Sequence, residues 1–332
     1  MKNPKIVLVV PTIREECINP FLLAWMEEFL KNDITVIIVE DHLENEIKIG
    51  KDFRKLKLAW YTWKEIDNEL GKNGWIIPRK NAGIRNYGLL KALMSKPDMV
   101  VSLDDDCYPD QKDFFIKHWQ FLNTPATLNW VTSSWEPTRG FPYKIRDANK
   151  VVLNHGLWSG VPDYDGITYK KSGYIPYKPF VNETKVIPTH NYFPFCSMNF
   201  SYKPLITTLM YLPLMGQSPD GKKWKYDRFD DIWGGIILKK VSDYLDLAIR
   251  SGSPSVEHRK ASNVDNIVEQ EKTGIPVNEW FWEKIDKIKL NSKTIYGSYM
   301  EIAEQVENWK GFYFKNLGKA MKIWASLTRN AS

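Results

Sequence analysis

Residues 99–106 read Met99-Val100-Val101-Ser102-Leu103-Asp104-Asp105-Asp106, a short β-branched run that ends in three consecutive carboxylates. An apolar run of this length reads as a buried strand. Three adjacent negative charges repel one another. They become favourable where a divalent cation that prefers oxygen ligands sits against them and bridges to a substrate diphosphate. A helix N-cap is the other use of such residues, because Asp caps and opens helices well. Position decides between the two. The triplet closes a strand in a chain that alternates strands with helices, and open α/β sheets bind their ligands at the carboxyl ends of strands.

Upstream of the triplet, Ile6–Val10 and Thr35–Val39 read as buried strands around a helix in which Phe21, Leu22, Trp25, Met26, Phe29 and Leu30 recur at helical spacing. Lys57–Tyr61 reads as a third strand, and a helical pattern over Ala82–Met94 precedes Met99–Leu103. The alternation predicts a parallel sheet flanked by helices. Pro11, Thr12, Arg14 and Asp41 then fall at strand ends beside the triplet. Downstream, residues 129–202 are aromatic and rich in turn residues, which predicts irregular loops and short antiparallel strands. Helical patterns return over Ile232–Tyr244 and Glu279–Ile288, and Ser298–Leu327 reads as one or two amphipathic helices. The expected organisation is one domain over residues 1–290 with a C-terminal helical extension over 291–332.

The 332 residues are 43% hydrophobic and 26% charged, which excludes disorder, collagen and coiled coil as the main class. A net charge of +6 without a clustered basic block gives no nucleic-acid arm. Cys17, Cys107 and Cys196 are far apart and form no CxxC spacing, so neither a disulfide framework nor a structural zinc site is indicated. A reducing cytoplasm is the expected location. No signal-peptide pattern follows Met1, and Leu205–Met215 is too short for the roughly 20 residues that cross a bilayer. A soluble protein is expected.

Three further segments can carry chemistry. In Pro78–Gly88, Asn81, Ala82 and Gly83 can open a helix whose amides, with Arg79 and Arg85, face an anion. A capped helix with solvated basic residues uses the same sequence. In Tyr226–Gly235, Asp230 and Asp231 begin an apolar helical run and can position a sugar hydroxyl or act as a base, with N-capping the alternative. His258 follows a polar segment and on its own is more often structural than a ligand.

Taken in order, these motifs resemble a nucleotide-sugar glycosyltransferase of the GT-A type, whose Rossmann-like mixed sheet is flanked by helices. A closer resemblance lies in Asp104-Asp105-Asp106-Cys107, Arg139-Gly140-Phe141-Pro142-Tyr143 with Arg146, His155-Gly156-Leu157-Trp158, Pro162-Asp163-Tyr164-Asp165, Cys196 to Asn199, Asp230-Asp231-Ile232-Trp233, and His258 with Lys260 to Asn263. These look like the reversibly glycosylated polypeptides, the UDP-arabinopyranose mutases, over about residues 5 to 285. The resemblance implies interconversion of UDP-L-arabinopyranose and UDP-L-arabinofuranose, with Mn²⁺ or Mg²⁺ held by Asp104, Asp106 and His258. It implies that Arg139 becomes reversibly glycosylated, with Arg146 as its essential partner. Pro11, Thr12, Arg14 and Asp41 would hold the nucleotide, together with Arg79, Asn81, Gly83 and Arg85 and the carboxylates Asp104 and Asp105. Asp41-His42-Leu43 and the segment Arg79–Gly88 depart from the plant pattern, and both touch the nucleotide side.

The residues fit this chemistry without the family. Turning a pyranose into a furanose cleaves the anomeric bond, so negative charge grows on the departing UDP and positive charge on the ring. A plain phosphate clamp is the simpler use of Arg139, since guanidinium is a poor nucleophile. Two rivals are a transferase that passes the sugar to a glycan with Asp230 or Asp231 as base, and a self-glycosylating or non-catalytic organiser of a polysaccharide-synthesis complex that docks through its tail. The aromatic tail, with Trp309, Phe312, Tyr313, Phe314 and Trp324, suits docking on the body and is compatible with a partner, a second copy or a membrane surface.

Overall fold

The computed structural model describes residues 4–128, 139–143, 149–173, 175–176, 183–193, 195–260 and 263–331. In chain order the strands and helices are β1 (Ile6–Thr12), α1 (Glu15–Lys31), β2 (Thr35–Glu40), β3 (Lys57–Tyr61), α2 (Trp63–Leu70), α3 (Arg85–Met94), β4 (Met99–Leu103), β5 (Cys107–Pro109) and α4 (Phe114–Asn123). They continue as β6 (Val151–Gly160), α5 (Gly166–Ser172), β7 (Thr184–Val186), β8 (Asn199–Tyr202), α6 (Asp230–Tyr244), β9 (Ala248–His258), α7 (Val264–Glu271), α8 (Ile275–Asp286), α9 (Ile295–Glu307) and α10 (Phe312–Ala331). The strands form one sheet in the order β3-β2-β1-β4-β8-β6-β9-β5, with β7 paired to β9.

Strands β1 to β4 are mutually parallel, as the alternation with helices predicts. β1, β2 and β4 are apolar at nearly every position because both faces are covered, while β3 at the edge is half-buried. Val7, Val9, Ile37 and Val39 join the core on one face of the sheet, under α3, α6 and α8 to α10. Ile6, Leu8, Val10, Val36 and Ile38 join the other, under α1 and α4. Gly88 lets α3 lie against the sheet, since a Cβ there would sit 2.5 Å from Val9 Cγ1 and 2.8 Å from Val39 Cγ2.

Beyond β4 the sheet becomes mixed. β8 is antiparallel to both β4 and β6, whereas β6 and β9 run parallel. Over residues 129–202, β7 and β8 are the expected short antiparallel strands, whereas β6 departs from that expectation as a ten-residue strand that runs parallel to β9. The eleven-residue β9 has no counterpart in the sequence reading. Its Ser, Gly and Pro residues break any alternation, and it is specified by pairing with β5, β6 and β7. The parallel strands end at Thr12, Glu40 and Leu103, so the segments that follow them share one edge of the sheet.

The tail folds as two helices, and both share the core of the body. Trp324 is fully buried, stacks toward Tyr211 at 5.5 Å and donates its indole N–H to the Thr208 carbonyl at 3.0 Å. Trp309, Tyr313 and Phe314 also pack into that core, while Phe312 stays 78% exposed. Among the described residues no helix is long and apolar enough to cross a membrane.

Candidate active site

The acidic triplet follows β4 directly, and its three carboxylates diverge. Asp104 is bound by the guanidinium of Arg85. Asp105 accepts from the Thr12 hydroxyl at 2.7 Å and lies 3.5 Å from Arg14. Burial raises the Asp105 carboxyl to about 6 against the pull of Thr12. Asp106 lies 3.6 Å from Nε2 of His258 and 3.8 Å from Arg14. The antiparallel register of β5 against β9 sets Cys107 opposite His258 and so brings Asp106 to the imidazole.

His258 hydrogen-bonds through Nδ1 to the Val161 carbonyl at 2.9 Å. A carbonyl only accepts, so Nδ1 carries the proton and Nε2 faces Asp106. Burial works against the charged imidazolium, but the Asp106 carboxylate outweighs it and the pKa is raised. The Asp106 Oδ1 atom is buried and makes no hydrogen bond. A buried carboxylate oxygen without a donor, next to an imidazole oriented by a carbonyl, is a donor set that fits a divalent cation. No group of three or more His, Cys, Asp or Glu among the described residues is arranged to hold a metal ion. Substrate oxygens and water would have to complete the shell, which is the usual habit of Mg²⁺. Asp104, expected beside Asp106, is turned away to Arg85.

The basic segment before α3 also differs from its expected use. Arg85 is fully buried and donates to Ser102 Oγ, to the Ser197 carbonyl at 2.8 Å and to Asp104. Burial works against its charge and Asp104 more than restores it. Arg79 is 1% exposed, bound to Asp67 at 2.7 Å and set 5.6 Å from the ring of Trp63. Both guanidiniums are turned into the protein, and Nε and one terminal nitrogen of Arg79 are buried without a hydrogen-bond partner. Asn81 and Gly83 do form the expected turn, with Asn81 Oδ1 accepting from the Gly83 N–H at 2.7 Å. Asp41 Oδ2 accepts from the Asn81 N–H and its Oδ1 from the Trp63 indole, which joins the end of β2 to this turn. Pro11 lies within β1, paired in register with Val39.

A cleft of about 350 Å³ opens beside the triplet. Asp104 lines one part of it, Asn81 and Lys80 another, and the segments Phe195–Met198 and Asp227–Ile232 form its floor and far wall. Asp230 and Asp231 begin α6 there. Asp231 Oδ2 accepts from the Ser197 N–H at 2.9 Å, whereas Asp230 Oδ2 is buried without a hydrogen-bond partner. Burial, and then the neighbouring carboxylates, push both carboxyls up, so the pair retains a proton at higher pH than ordinary Asp residues do. The N-cap position is Phe229 and has no side-chain bond, but Asp231 Oδ1 accepts from the first-turn N–H of Ile232 at 2.8 Å, so a helix-start role accounts for part of Asp231 and not for Asp230.

Lys80, Asp227 and Arg228 also line the cleft, although the sequence reading assigns no role to them within their segments. Asp163, quoted only as part of a motif, accepts from the Cys196 thiol at 3.1 Å inside the cleft. The run of acids from Asp227 to Asp231 was the available signal for Asp227, but nothing in the sequence distinguishes Lys80 from Arg79. Arg139 lies in an exposed turn and does not line the cleft. Arg146 lies outside the described residues.

Comparison with known proteins is consistent along the whole chain. A family model described as "Reversibly glycosylated polypeptide" matches residues 1–332. "Probable UDP-arabinopyranose mutase 1" of Solanum tuberosum is 30% identical over 342 residues, covering 96% of this chain and 88% of that protein. "UDP-arabinopyranose mutase 1" of Oryza sativa subsp. japonica is 29% identical over 341 residues with the same coverage. Among solved structures, glucosyl-3-phosphoglycerate synthase from Mycobacterium tuberculosis with Mn²⁺, UDP and phosphoglyceric acid has a TM-score of 0.45 at 12% identity, covering 84% of this chain and 78% of that one. Mannosyl-3-phosphoglycerate synthase from Rubrobacter xylanophilus has a TM-score of 0.44 at 9% identity, covering 87% and 77%. The family match includes residues 291–332, so it extends beyond the 5 to 285 span on which the motifs rest.

Proposed function

The chain belongs to the reversibly glycosylated polypeptide family, and from that premise we propose that it interconverts UDP-L-arabinopyranose and UDP-L-arabinofuranose, or a related UDP-sugar pair, with a divalent cation. The observation that carries this reading is the adjacent carboxyls of buried Asp230 and half-buried Asp231 in a cleft that also opens on Asp104.

The chemistry asks for such a pair. In the pyranose O5 is in the ring and O4 carries a proton, while in the furanose O4 closes the ring and O5 carries the proton. The bond from C1 to UDP breaks with its electron pair leaving on the diphosphate, and it re-forms after the ring has changed. Between those events one proton leaves O4 and one reaches O5. Two carboxyls that share a proton can take the first and supply the second. The Ser197 N–H fixes one oxygen of Asp231, and burial of Asp230 keeps water from competing for the proton. Asp106 and His258 would hold the cation, which supplies neutralisation of charge on the diphosphate. Thr12 and Arg14 hold Asp105 beside them.

The family reading also gives Arg139 the role of sugar acceptor, with Arg146 as partner. A guanidinium nitrogen of Arg139 would bond to C1 as the bond to UDP breaks, the electron pair leaving with UDP and a guanidinium proton passing to water. Undiminished self-glycosylation of an Arg139→Ala variant would remove that role.

The decisive experiment incubates the pure protein with Mn²⁺ and UDP-arabinopyranose without acceptor and follows nucleotide sugars and intact protein mass. A new furanose nucleotide sugar is expected. UDP-sugars that stay unchanged until a glycan is added would make the protein a transferase.

A further inference from the structure

The cleft presents an electrostatic problem. Its lining is dominated by carboxylates, among them Asp104, Asp163, Asp227, Asp230 and Asp231, and a nucleoside diphosphate brings further negative charge. Such a substrate needs cations at the point where its phosphates lie. Arg79 and Arg85 are buried and ion-paired to Asp67 and Asp104, and neither lines the cleft. Among the described lining residues the Lys and Arg side chains are Lys80 and Arg228. The Lys80 ammonium is bound to the Asp41 carbonyl at 3.0 Å and sits 5.0 Å from the ring of Trp63.

Arg228 is held differently. Its Nε donates to Glu271 Oε1 at 3.3 Å, and Glu271 is itself buried and accepts from the Gly166 N–H at 2.8 Å. That anchor engages the Nε edge of the guanidinium and leaves the two terminal nitrogens for a ligand. The backbone of Arg228 adopts a left-handed conformation with φ +62°, and its N–H donates to Asp227 Oδ1 at 3.0 Å. A long side chain placed there against its backbone preference is a feature of ligand clamps. Resting on the nucleotide-sugar reading, we propose that Arg228 is the guanidinium that binds the substrate diphosphate. Its planar fork matches two phosphate oxygens at once, which a lysine cannot do.

The left-handed backbone supplies a test that separates binding from folding. Asn accepts that conformation more readily than Arg, so Arg228→Asn removes the fork while relieving the strain. Titration calorimetry with UDP and with uridine, alongside thermal unfolding, reads binding and stability separately, and Arg228→Asn should unfold at a lower temperature to the extent that the buried Glu271 carboxylate loses its partner. UDP affinity should fall about 10- to 100-fold and uridine affinity should stay as in the wild type. Arg228→Lys should fall between the two for UDP. Equal UDP affinity in the wild type and Arg228→Asn overturns the role of Arg228 alone. An equal loss for uridine overturns it as well, because the effect would then not be on phosphate. A wild-type protein that fails to bind UDP removes the functional reading and this clamp with it.

Discussion

Charge on Asp230 is costly where it sits, since Oδ2 is buried without a donor and Asp231 and Asp227 face it from the same segment. Arg85 is the nearby cation and is already bound to Asp104. A carboxyl whose pKa is raised on folding stabilises the fold most below the unfolded value of about 4, and that contribution is lost as pH rises through the folded value. Asp230→Asn removes this dependence. The variant should therefore unfold at a higher temperature than wild type at pH 8, with a smaller gain at pH 5, while turnover falls about 10²- to 10⁴-fold. A variant that keeps its activity would sink the role of the pair in proton transfer. A second outcome at this scale concerns the cation: EDTA should abolish turnover, and Mn²⁺ should restore it. Loss of His258 as Gln should weaken Mn²⁺ binding, measured by electron paramagnetic resonance, at least as much as the roughly 10- to 100-fold lost when an outer partner of a ligand is removed. Unaltered Mn²⁺ binding by His258→Gln would place the metal elsewhere. Asp106 and Asp230 were singled out by position, at a strand end and a helix start, and His258 only by the order of the motifs around it. Orientation was not readable. Arg85 reads as an anion-binding side chain in sequence, and only the tertiary structure shows it turned inward to Asp104, Ser102 and Ser197.

At the scale of elements, α6 controls the floor of the cleft through Gly235. A Cβ at that position would sit 2.3 Å from Phe195 Cβ, a main-chain-linked atom that cannot swing aside. Gly→Ala within a helix ordinarily stabilises by about 1 kcal/mol through propensity. Overpacking of a filled site costs about 1–3 kcal/mol, so sterics should win. Gly235→Ala should lower the unfolding free energy by up to about 2 kcal/mol in urea titrations. Activity should fall too, because Phe195 leads into Ser197, whose N–H holds Asp231. A stabilised and fully active Gly235→Ala variant would mean that the segment over Phe195 is not rigidly set. The same distinction explains which elements could be read in advance. β4 was legible to the residue because a strand buried on both faces is an apolar run, and β3, half-buried at the sheet edge, because Leu58, Trp60 and Tyr61 suit a strand. β9 was illegible: Arg250, Ser251, Gly252, Ser253, Pro254 and Ser255 carry neither alternation nor continuous hydrophobicity. Its position comes from three strand neighbours that lie far away in sequence.

For the whole molecule the question is whether residues 291–332 are an appendage or a structural part of the body. The sequence reading draws a boundary at residue 290, and the helices it expects there are present as α9 and α10. Their apolar faces complete a core that also holds Tyr211, Trp233 and Phe281. Tyr313 illustrates the continuity, with its ring 4.7 Å from Tyr226 and 6.2 Å from Trp233, one turn along α6 from Asp230. Removing a buried Trp typically costs about 3–5 kcal/mol, a large share of the 5–15 kcal/mol by which domains are stable. Trp324→Ala should therefore lower the unfolding temperature of the entire protein. Far-ultraviolet and near-ultraviolet circular dichroism should still report one coincident transition, because body and tail share that core. Truncation after Leu290 should leave a chain without cooperative unfolding, since it exposes Leu209, Tyr211 and Trp233 together. A truncated protein that melts cooperatively near the wild-type temperature would establish the tail as a separate unit and free it for docking elsewhere.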